Sequence, residues 1–160
     1  MEKRIATGEW PRLEVAAPDV LAIAQSGFDR IPVIANPKEQ VEKRIEITPE
    51  GSPVPFVGFI DLLCPSDDLV IDHKTTSSLR YIKSAEELRH DPQAIIYAYA
   101  AWKHLNFGFP LTFRHIYYRT KGSRKSAQSE YIFVASELEA AMEKLVGTVR
   151  KMKSDAQETD

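Results

Sequence analysis

Two neighbouring apolar runs that contain charged residues constrain the fold of this chain more than any other feature. Residues 58–76, GFIDLLCPSDDLVIDHKTT, form two strand-like runs joined by a short polar turn. Asp61 lies within the first run, and Asp72 and Lys74 lie within the second. Burying a carboxylate in a sheet costs free energy unless a cation or a hydrogen-bond donor compensates its charge. The stretch therefore predicts a site, with a divalent metal held beside an ammonium group.

Strand geometry indicates how these charges meet. Side chains alternate along a strand, so Asp72 and Lys74 are expected on one sheet face and His73 on the other. An even-numbered turn places Asp61 on the face of Asp72, and the same parity at the preceding turn brings Glu42 to it. A single-residue bulge would break this register.

Carboxylates grouped on one face repel one another, and either protonation or a bound cation relieves the repulsion. Oxygen ligands of this kind suit Mg²⁺ or Mn²⁺, which share their coordination with water and substrate phosphate. Such a metal activates water and polarises a phosphoryl oxygen, while Lys74 orients the water or neutralises phosphate charge. Phosphodiester hydrolysis is the reaction class that uses all these groups.

The remaining patterns predict one α/β domain with a mixed β-sheet flanked by helices. Strand-like segments cover 41–48, 54–63, 69–75, 111–120 and 130–135. Helix signals are Pro18 with an end before Gly27, the capping box Ser84/Glu87, the cap Asp91 with Pro92 and an end near Leu105, and the capping box Ser136/Glu139. The 160 residues fit a single domain, with a helical or irregular segment over 1–40 and a frayed polar tail over 155–160.

The helix that begins after Asp91 supplies a second candidate element. Gln93 and Tyr97 are spaced i, i+4 and share one helix face. Gln93 lies in the first turn, where free backbone N–H groups and the helix dipole favour an anion. An amide and a phenol in this position can contact a phosphate or orient a water molecule.

Charge and cysteine content narrow the class of partner. The net charge of −2 gives no global attraction to nucleic acid, so a polyanion must meet a local basic cluster. That cluster consists of Arg114, Arg119, Lys121, Arg124 and Lys125. The single Cys64 rules out an intrachain disulfide and a multi-cysteine zinc or iron–sulfur site, and a buried structural thiol is expected. No run approaches the ~20 apolar residues that span a bilayer, and no signal peptide is recognisable, so an intracellular protein without membrane contact is expected.

In order and context, three motifs resemble those of the PD-(D/E)XK nucleases, in the RecB-like and lambda-exonuclease-like branch. GFID at 58–61 is similar to the GxxD motif, IDHK at 71–74 to the DxK motif, and residues 93–97 to the QxxxY motif. Ile60 stands in place of the proline of the nominal signature. The resemblance implies a restriction-endonuclease-like core and a Mg²⁺- or Mn²⁺-dependent nuclease.

The resemblance also implies roles for individual residues. These are Asp61 and Asp72 as metal ligands, the backbone carbonyl of His73 as a further ligand, Lys74 as the catalytic lysine, Gln93 and Tyr97 as contacts to the DNA backbone, and Glu42 as the upstream acidic ligand. Thr75, in the polar loop after the lysine, and the basic residues 119–125 are further DNA-binding candidates, although a plain turn explains each of them equally well.

Several alternatives stay open at this point. The QxxxY resemblance favours an exonuclease in DNA recombination, repair or phage replication. A single-strand or structure-selective endonuclease on the same fold, or a non-catalytic nucleic-acid-binding or assembly protein, is also compatible. A homo-oligomer, or a helicase or recombination partner, is conceivable, in the cytoplasm of a bacterial or phage-infected cell. Relatives with an iron–sulfur cluster use four cysteines, so no such cluster is expected here.

Overall fold

A computed structural model describes residues 18–34 and 40–157. Its helices and strands are, in chain order, α1 Pro18–Gln25, β1 Val41–Ile47, β2 Phe56–Cys64, β3 Leu69–Thr76, α2 Ala85–Arg89, α3 Pro92–Leu105, β4 Leu111–Arg119, β5 Ser126–Phe133 and α4 Ala135–Gln157. The predicted mixed sheet flanked by helices is confirmed. Of the predicted N-terminal segment 1–40, residues 1–17 and 35–39 lie outside the described part, as do residues 158–160 of the predicted tail.

The five strands form one sheet in the order β1-β2-β3-β4-β5. Strands β1, β2 and β3 pair antiparallel, β3 and β4 pair parallel, and β4 and β5 pair antiparallel. A parallel pair needs a crossover connection, which the segment with α2 and α3 provides. The chain thus leaves the end of β3, where Asp72 and Lys74 lie, and returns to the sheet through α3.

Apolar clusters cover both sheet faces. The larger cluster packs α3 and α4 on one face and includes Ile60, Leu63, Val70, Phe113 and Phe133. The smaller cluster lies on the other face, with Ile23 and Ile31 packed against it, and consists of Leu62, Cys64, Leu69, Ile71, Ile116 and Tyr118. Burial raises the pKa of the Cys64 thiol to about 11, as expected for a structural thiol. The central strand β3 is therefore buried on both sides, which makes a carboxylate on it costly.

Helix α3 begins where the sequence predicts. The Asp91 side chain accepts hydrogen bonds from the backbone N–H groups of Gln93 and Ala94, at 2.8 and 3.1 Å. Burial opposes ionisation of Asp91, but the hydrogen bond from Lys83 and those from the two amides outweigh it and lower its pKa. This charged cap fixes the first turn of α3 and with it the position of Gln93.

The C-terminal helix departs from its prediction. Helix α4 begins at Ala135, so Ser136 lies inside its first turn and the predicted capping box there is wrong. Leu138, Met142 and Val146 are buried, but Met152 is exposed, as are all the residues of the last turns, 150–157. Helical structure continues to Gln157, through the first residues of the predicted tail. Within the described residues, no helix combines the length and apolar character needed to cross a membrane.

Candidate active site

Asp72, Lys74 and Gln93 form a closed set of polar contacts at the end of β3. The Lys74 Nζ atom lies 2.6 Å from Asp72 Oδ2, in an ion pair, and donates a hydrogen bond of 2.8 Å to Gln93 Oε1. The Gln93 Nε2 atom donates to Asp72 Oδ1 at 2.9 Å. The amide of Gln93 therefore orients the carboxylate and the ammonium at the same time. These contacts bring the first turn of α3 to the end of β3.

The electrostatic state of Asp72 depends on its burial. The residue is 3% exposed, and this burial raises the pKa of its carboxyl group above the ordinary value of 3.8, although Lys74 acts in the opposite direction. The nearby charge of Asp61 raises this pKa further. A bound cation would relieve both effects, because it stabilises the ionised form of Asp72.

Asp61 lies where β2 and β3 separate. Ile60 belongs to the larger apolar cluster and Leu62 to the smaller one, although residues two apart in a regular strand face the same side. The β2–β3 register ends at the pair Leu62 and Ile71. The expectation that Asp61 simply shares the face of Asp72 therefore does not describe the structure, because an irregularity in β2 at Asp61 breaks the alternation.

The carboxylate of Asp61 instead accepts a hydrogen bond from the backbone of β3, as a backbone carbonyl of β2 would do in a regular sheet. Its Oδ2 atom accepts a hydrogen bond of 2.7 Å from the backbone N–H of His73. Since the N–H and C=O groups of one strand residue point to the same neighbouring strand, the carbonyl of His73 also faces β2. The side chain of His73 lies on the smaller-cluster face, where its Nδ1 atom is 3.1 Å from Tyr118 Oη and burial lowers its pKa. The backbone of His73 thus borders the gap that Asp61 occupies.

A cavity of about 330 Å³ opens next to this gap. Its polar lining residues are Glu42, Asp61 and His73, and its apolar wall consists of Ile31, Ile34, Val41 and Leu62. Glu42 has a positive φ of 49°, which bends β1 beside the cavity. Glu46, the other acidic residue of β1, pairs with Arg44 at 2.6 Å. Glu42 is therefore the acidic residue of β1 that reaches the neighbourhood of Asp61.

The donor atoms fit a divalent cation that keeps part of its water shell. The buried Oδ2 atom of Asp72 has no hydrogen bond of regular geometry, and Asp61 borders the open cavity. With the carbonyl of His73 these are hard oxygen donors, which suit Mg²⁺ or Mn²⁺. Among the described residues, no three or more His, Cys, Asp or Glu side chains are grouped closely enough to enclose a metal. Water and substrate would have to complete the coordination.

Gly58 and Tyr97 connect two of the sequence motifs. Tyr97 is 8% exposed and belongs to the larger apolar cluster. A Cβ atom on Gly58 would lie 2.9 Å from Tyr97 Cε1, so only glycine allows this approach of β2 to α3. The predicted contact of Tyr97 with DNA stays a prediction, and in the structure the ring packs under the strand that carries Asp61.

The motifs therefore converge on one site, and a comparison of the whole chain identifies its family. The family model of the PD-(D/E)XK nuclease superfamily matches residues 3–160. The chain belongs to the PD-(D/E)XK nuclease superfamily. No curated protein matches it. The RecB-like branch and the assignment of the QxxxY motif remain predictions.

The predicted DNA-binding residues of this superfamily member lie at the same end of the sheet as the site. Thr75 is exposed directly after Lys74, and the β3–β4 register places Arg119 opposite Thr76. Arg119, the last residue of β4, donates to Ser123. In the loop that follows, Arg124 pairs with Asp19 at 3.1 Å, while Lys121 and Lys125 are exposed. The two lysines are therefore the members of the cluster most open to a phosphate, and the DNA contacts of all five residues stay predictions.

Sequence reasoning missed His115 and Tyr117. His115 is 1% exposed, and its Nε2 atom lies 3.5 Å from Asp72 Oδ2. Its Nδ1 atom is 3.0 Å from Tyr117 Oη. Burial, with a smaller contribution from Lys74, lowers the pKa of His115 to about 4, so the ring is neutral. The signal was the β3–β4 register, in which Asp72 pairs with His115, and that register is not visible in the sequence.

Proposed function

We propose that this PD-(D/E)XK protein is a Mg²⁺- or Mn²⁺-dependent deoxyribonuclease, acting as an exonuclease. Superfamily membership supplies the reaction class, a nuclease. The observation that carries the proposal is the position of the Lys74 ammonium group, which lies between Asp72 and Gln93 at the point where β3 borders Asp61. An ion pair that only stabilised the fold would not need a side-chain amide in contact with both of its members, as Gln93 is with Asp72 and Lys74.

Three groups would hold the metal ion: the carboxylates of Asp61 and Asp72 and the backbone carbonyl of His73. Glu42 would act from across the cavity, through water. When bound, the ion supplies Lewis-acid polarisation of a phosphoryl oxygen and lowers the pKa of a water molecule. The partly open donor set supports this role, because a nuclease metal must leave positions free for substrate and water.

Lys74 has the donor capacity that hydrolysis needs. An ammonium group carries three N–H donors, and its contacts with Asp72 and Gln93 engage at most two of them. The third donor remains for the attacking water or for a phosphate oxygen. Because the Lys74 side chain is 35% exposed, that donor can face an incoming substrate. Gln93 acts through Lys74 and Asp72 and is a positioning residue in this scheme.

DNA as substrate and attack from an end follow from the resemblance to the QxxxY branch. The basic loop after β4 supports a polyanionic substrate, because it lies at the end of the sheet that carries Lys74. The same resemblance is the support for a role in DNA recombination, repair or phage replication in a bacterial or phage-infected cell. The proposal includes assembly of this protein, either with further copies of itself or with a helicase or recombination protein.

A comparison of cleavage of linear and circular DNA tests the proposal. The purified protein is incubated with 5′-labelled linear duplex, labelled single strands and closed circular DNA, each with Mg²⁺, Mn²⁺ or EDTA. We expect mononucleotides or short products from linear DNA with either metal, none in EDTA, and intact circles. Cleavage of circles would replace the exonuclease by an endonuclease. Binding of DNA without cleavage under any metal would favour the non-catalytic alternative.

A further inference from the structure

Two buried polar atoms face each other across the β3–β4 pair. In the parallel register Asp72 is paired with His115, so both side chains lie on the face that packs against α3. Asp72 Oδ2 and His115 Nε2 are 3.5 Å apart. Both atoms are buried; Asp72 Oδ2 pairs with the Lys74 ammonium group, whereas His115 Nε2 has no hydrogen bond among the described residues. Because leaving a buried nitrogen such as His115 Nε2 without a partner is costly, an imidazole at this position calls for an explanation beyond packing.

A hydrogen-bond chain sets the orientation of the His115 ring. The backbone N–H of Lys83 donates to Tyr117 Oη at 3.2 Å, and this hydroxyl lies 3.0 Å from His115 Nδ1. A hydroxyl that accepts from Lys83 has its own proton free for Nδ1. The neutral ring then carries its proton on Nε2, the atom nearest to Asp72. The opposite tautomer would place a lone pair against the carboxylate, which is unfavourable.

This hydrogen-bond chain begins at Asp91, the N-cap residue of α3. The Lys83 ammonium group pairs with Asp91 Oδ2. The other oxygen of Asp91 accepts the N–H of Gln93, whose side chain reaches Asp72 Oδ1. Two series of contacts therefore connect Asp91 with the two oxygens of Asp72. One passes through Gln93, and the other passes through Lys83, Tyr117 and His115.

We propose that His115 is a positioning residue for Asp72, with Tyr117 fixing the tautomer that presents the Nε2–H group to the carboxylate. The proposal rests on the proposed function, in which Asp72 is a metal ligand. Partners of this kind hold a ligating carboxylate in one orientation, and their loss lowers metal affinity or activity on the order of 10–100-fold. His115 touches neither substrate nor metal in this role and acts only through Asp72.

Paired substitutions separate positioning from packing. His115→Gln keeps an N–H donor at about the distance of Nε2, whereas His115→Met has a similar length and no donor. Tyr117→Phe removes only the hydroxyl that connects Lys83 with the ring. Tyr131→Phe is the matched control, because it also removes a single tyrosine hydroxyl bond, 2.6 Å to Glu137, elsewhere on the same sheet face. Circular dichroism and thermal unfolding verify that each variant folds.

The direct readout is Mn²⁺ binding to the full chain by titration calorimetry without DNA, followed by kcat and KM on linear DNA. We expect His115→Met and Tyr117→Phe to weaken Mn²⁺ binding about tenfold, and kcat at a fixed metal concentration to fall with little change in KM. His115→Gln and Tyr131→Phe should stay close to wild type. Equal Mn²⁺ affinity in the Gln and Met variants would overturn the proposal.

One further variant distinguishes this proposal from the proposed function. Asp72→Asn removes a ligand charge and should abolish Mn²⁺ binding if Asp72 is a ligand at all. If Asp72→Asn binds Mn²⁺ as wild type does, the metal site itself is misassigned. If it does not, while Tyr117→Phe and His115→Met bind normally, the metal site stands and His115 is rejected as a positioning residue.

Discussion

Gly58 and Tyr97 lie so close together that a Cβ atom on the glycine would be 2.9 Å from Cε1 and 3.1 Å from the hydroxyl oxygen of the tyrosine. Contacts under about 3 Å between such atoms force one of them to move. The close approach of the Tyr97 ring thus leaves little space for a side chain at position 58. The contact sets how closely β2, which carries Asp61, approaches α3, which carries Gln93.

Gly58→Ala should disturb this contact. We expect the new methyl group to displace the ring of Tyr97 or the strand, with a loss of about 1–3 kcal/mol in the free energy of unfolding. Cleavage should fall as well, because Asp61 lies three residues along the same strand. Urea unfolding and initial cleavage rates measure the two effects. Gly147→Ala is the control, since nothing lies within 4 Å of a Cβ there and the exposed helix should gain about 0.5–1 kcal/mol.

A double substitution tests whether the two residues act through each other. Tyr97→Leu opens space beside Gly58, so Gly58→Ala should cost less in that background than in wild type. The coupling free energy from the four proteins should be at least about 0.5 kcal/mol, the size found for residues in contact. Additive losses would show that Tyr97 does not constrain Gly58.

Gln93→Glu should impair the site more than Gln93→Met does. A glutamate would place a second carboxylate 2.9 Å from Asp72 Oδ1, where the amide now donates a hydrogen bond, and like charges at this distance repel. We expect kcat to fall on the order of 100-fold for Glu, as for removal of a preorganised polar group, and by less for Met. Gln128→Glu on β5 serves as the control. A rise in KM alone, with kcat unchanged, would indicate a DNA contact instead of a positioning role.

The raised pKa of Asp72 predicts a pH dependence of stability. A group whose folded pKa is raised stabilises the fold fully below its unfolded pKa, and this contribution is lost as pH rises through the folded pKa. Without metal, wild type should therefore lose stability relative to Asp72→Asn as pH rises from below 3.8 through the raised value. Urea unfolding in EDTA across this window measures the difference. A stability difference between wild type and Asp72→Asn that stays constant with pH would mean that the pKa of Asp72 is not raised in the folded protein.

The sequence predicted the fold well because its signals are local. The cap Asp91, the capping box of Ser84 with Glu87, and the alternation in the strands depend on neighbouring residues, and the structure has them. The position of Asp61 was beyond parity reasoning, because an irregularity in β2 at Asp61 turns Ile60 and Leu62 to opposite faces.

His115 shows the other limit of sequence reasoning. In the run LTFRHIYYRT it looks like one polar residue in a half-buried strand. Its position opposite Asp72 follows from a parallel pairing of β3 with β4, a contact between segments about forty residues apart. The motifs place Asp72, Lys74 and Gln93 at one site, but the residues that surround them come from the tertiary register, which no single segment encodes.

The central claim is that Lys74 beside Asp72 and Asp61 forms a metal-dependent catalytic site. Its most direct test is single-turnover cleavage of end-labelled linear DNA by wild type, Lys74→Met and Lys103→Met, each with Mn²⁺ or EDTA. Both substitutions remove one ammonium group and keep the apolar stem. Lys103 lies in the last turn of α3, over the ring of Trp102, whereas Gln93 lies in the first turn of that helix. We predict cleavage by wild type and Lys103→Met with Mn²⁺ only, and a loss on the order of 100-fold or more in Lys74→Met. Cleavage by Lys74→Met at the wild-type rate, or undiminished cleavage in EDTA, would contradict the claim.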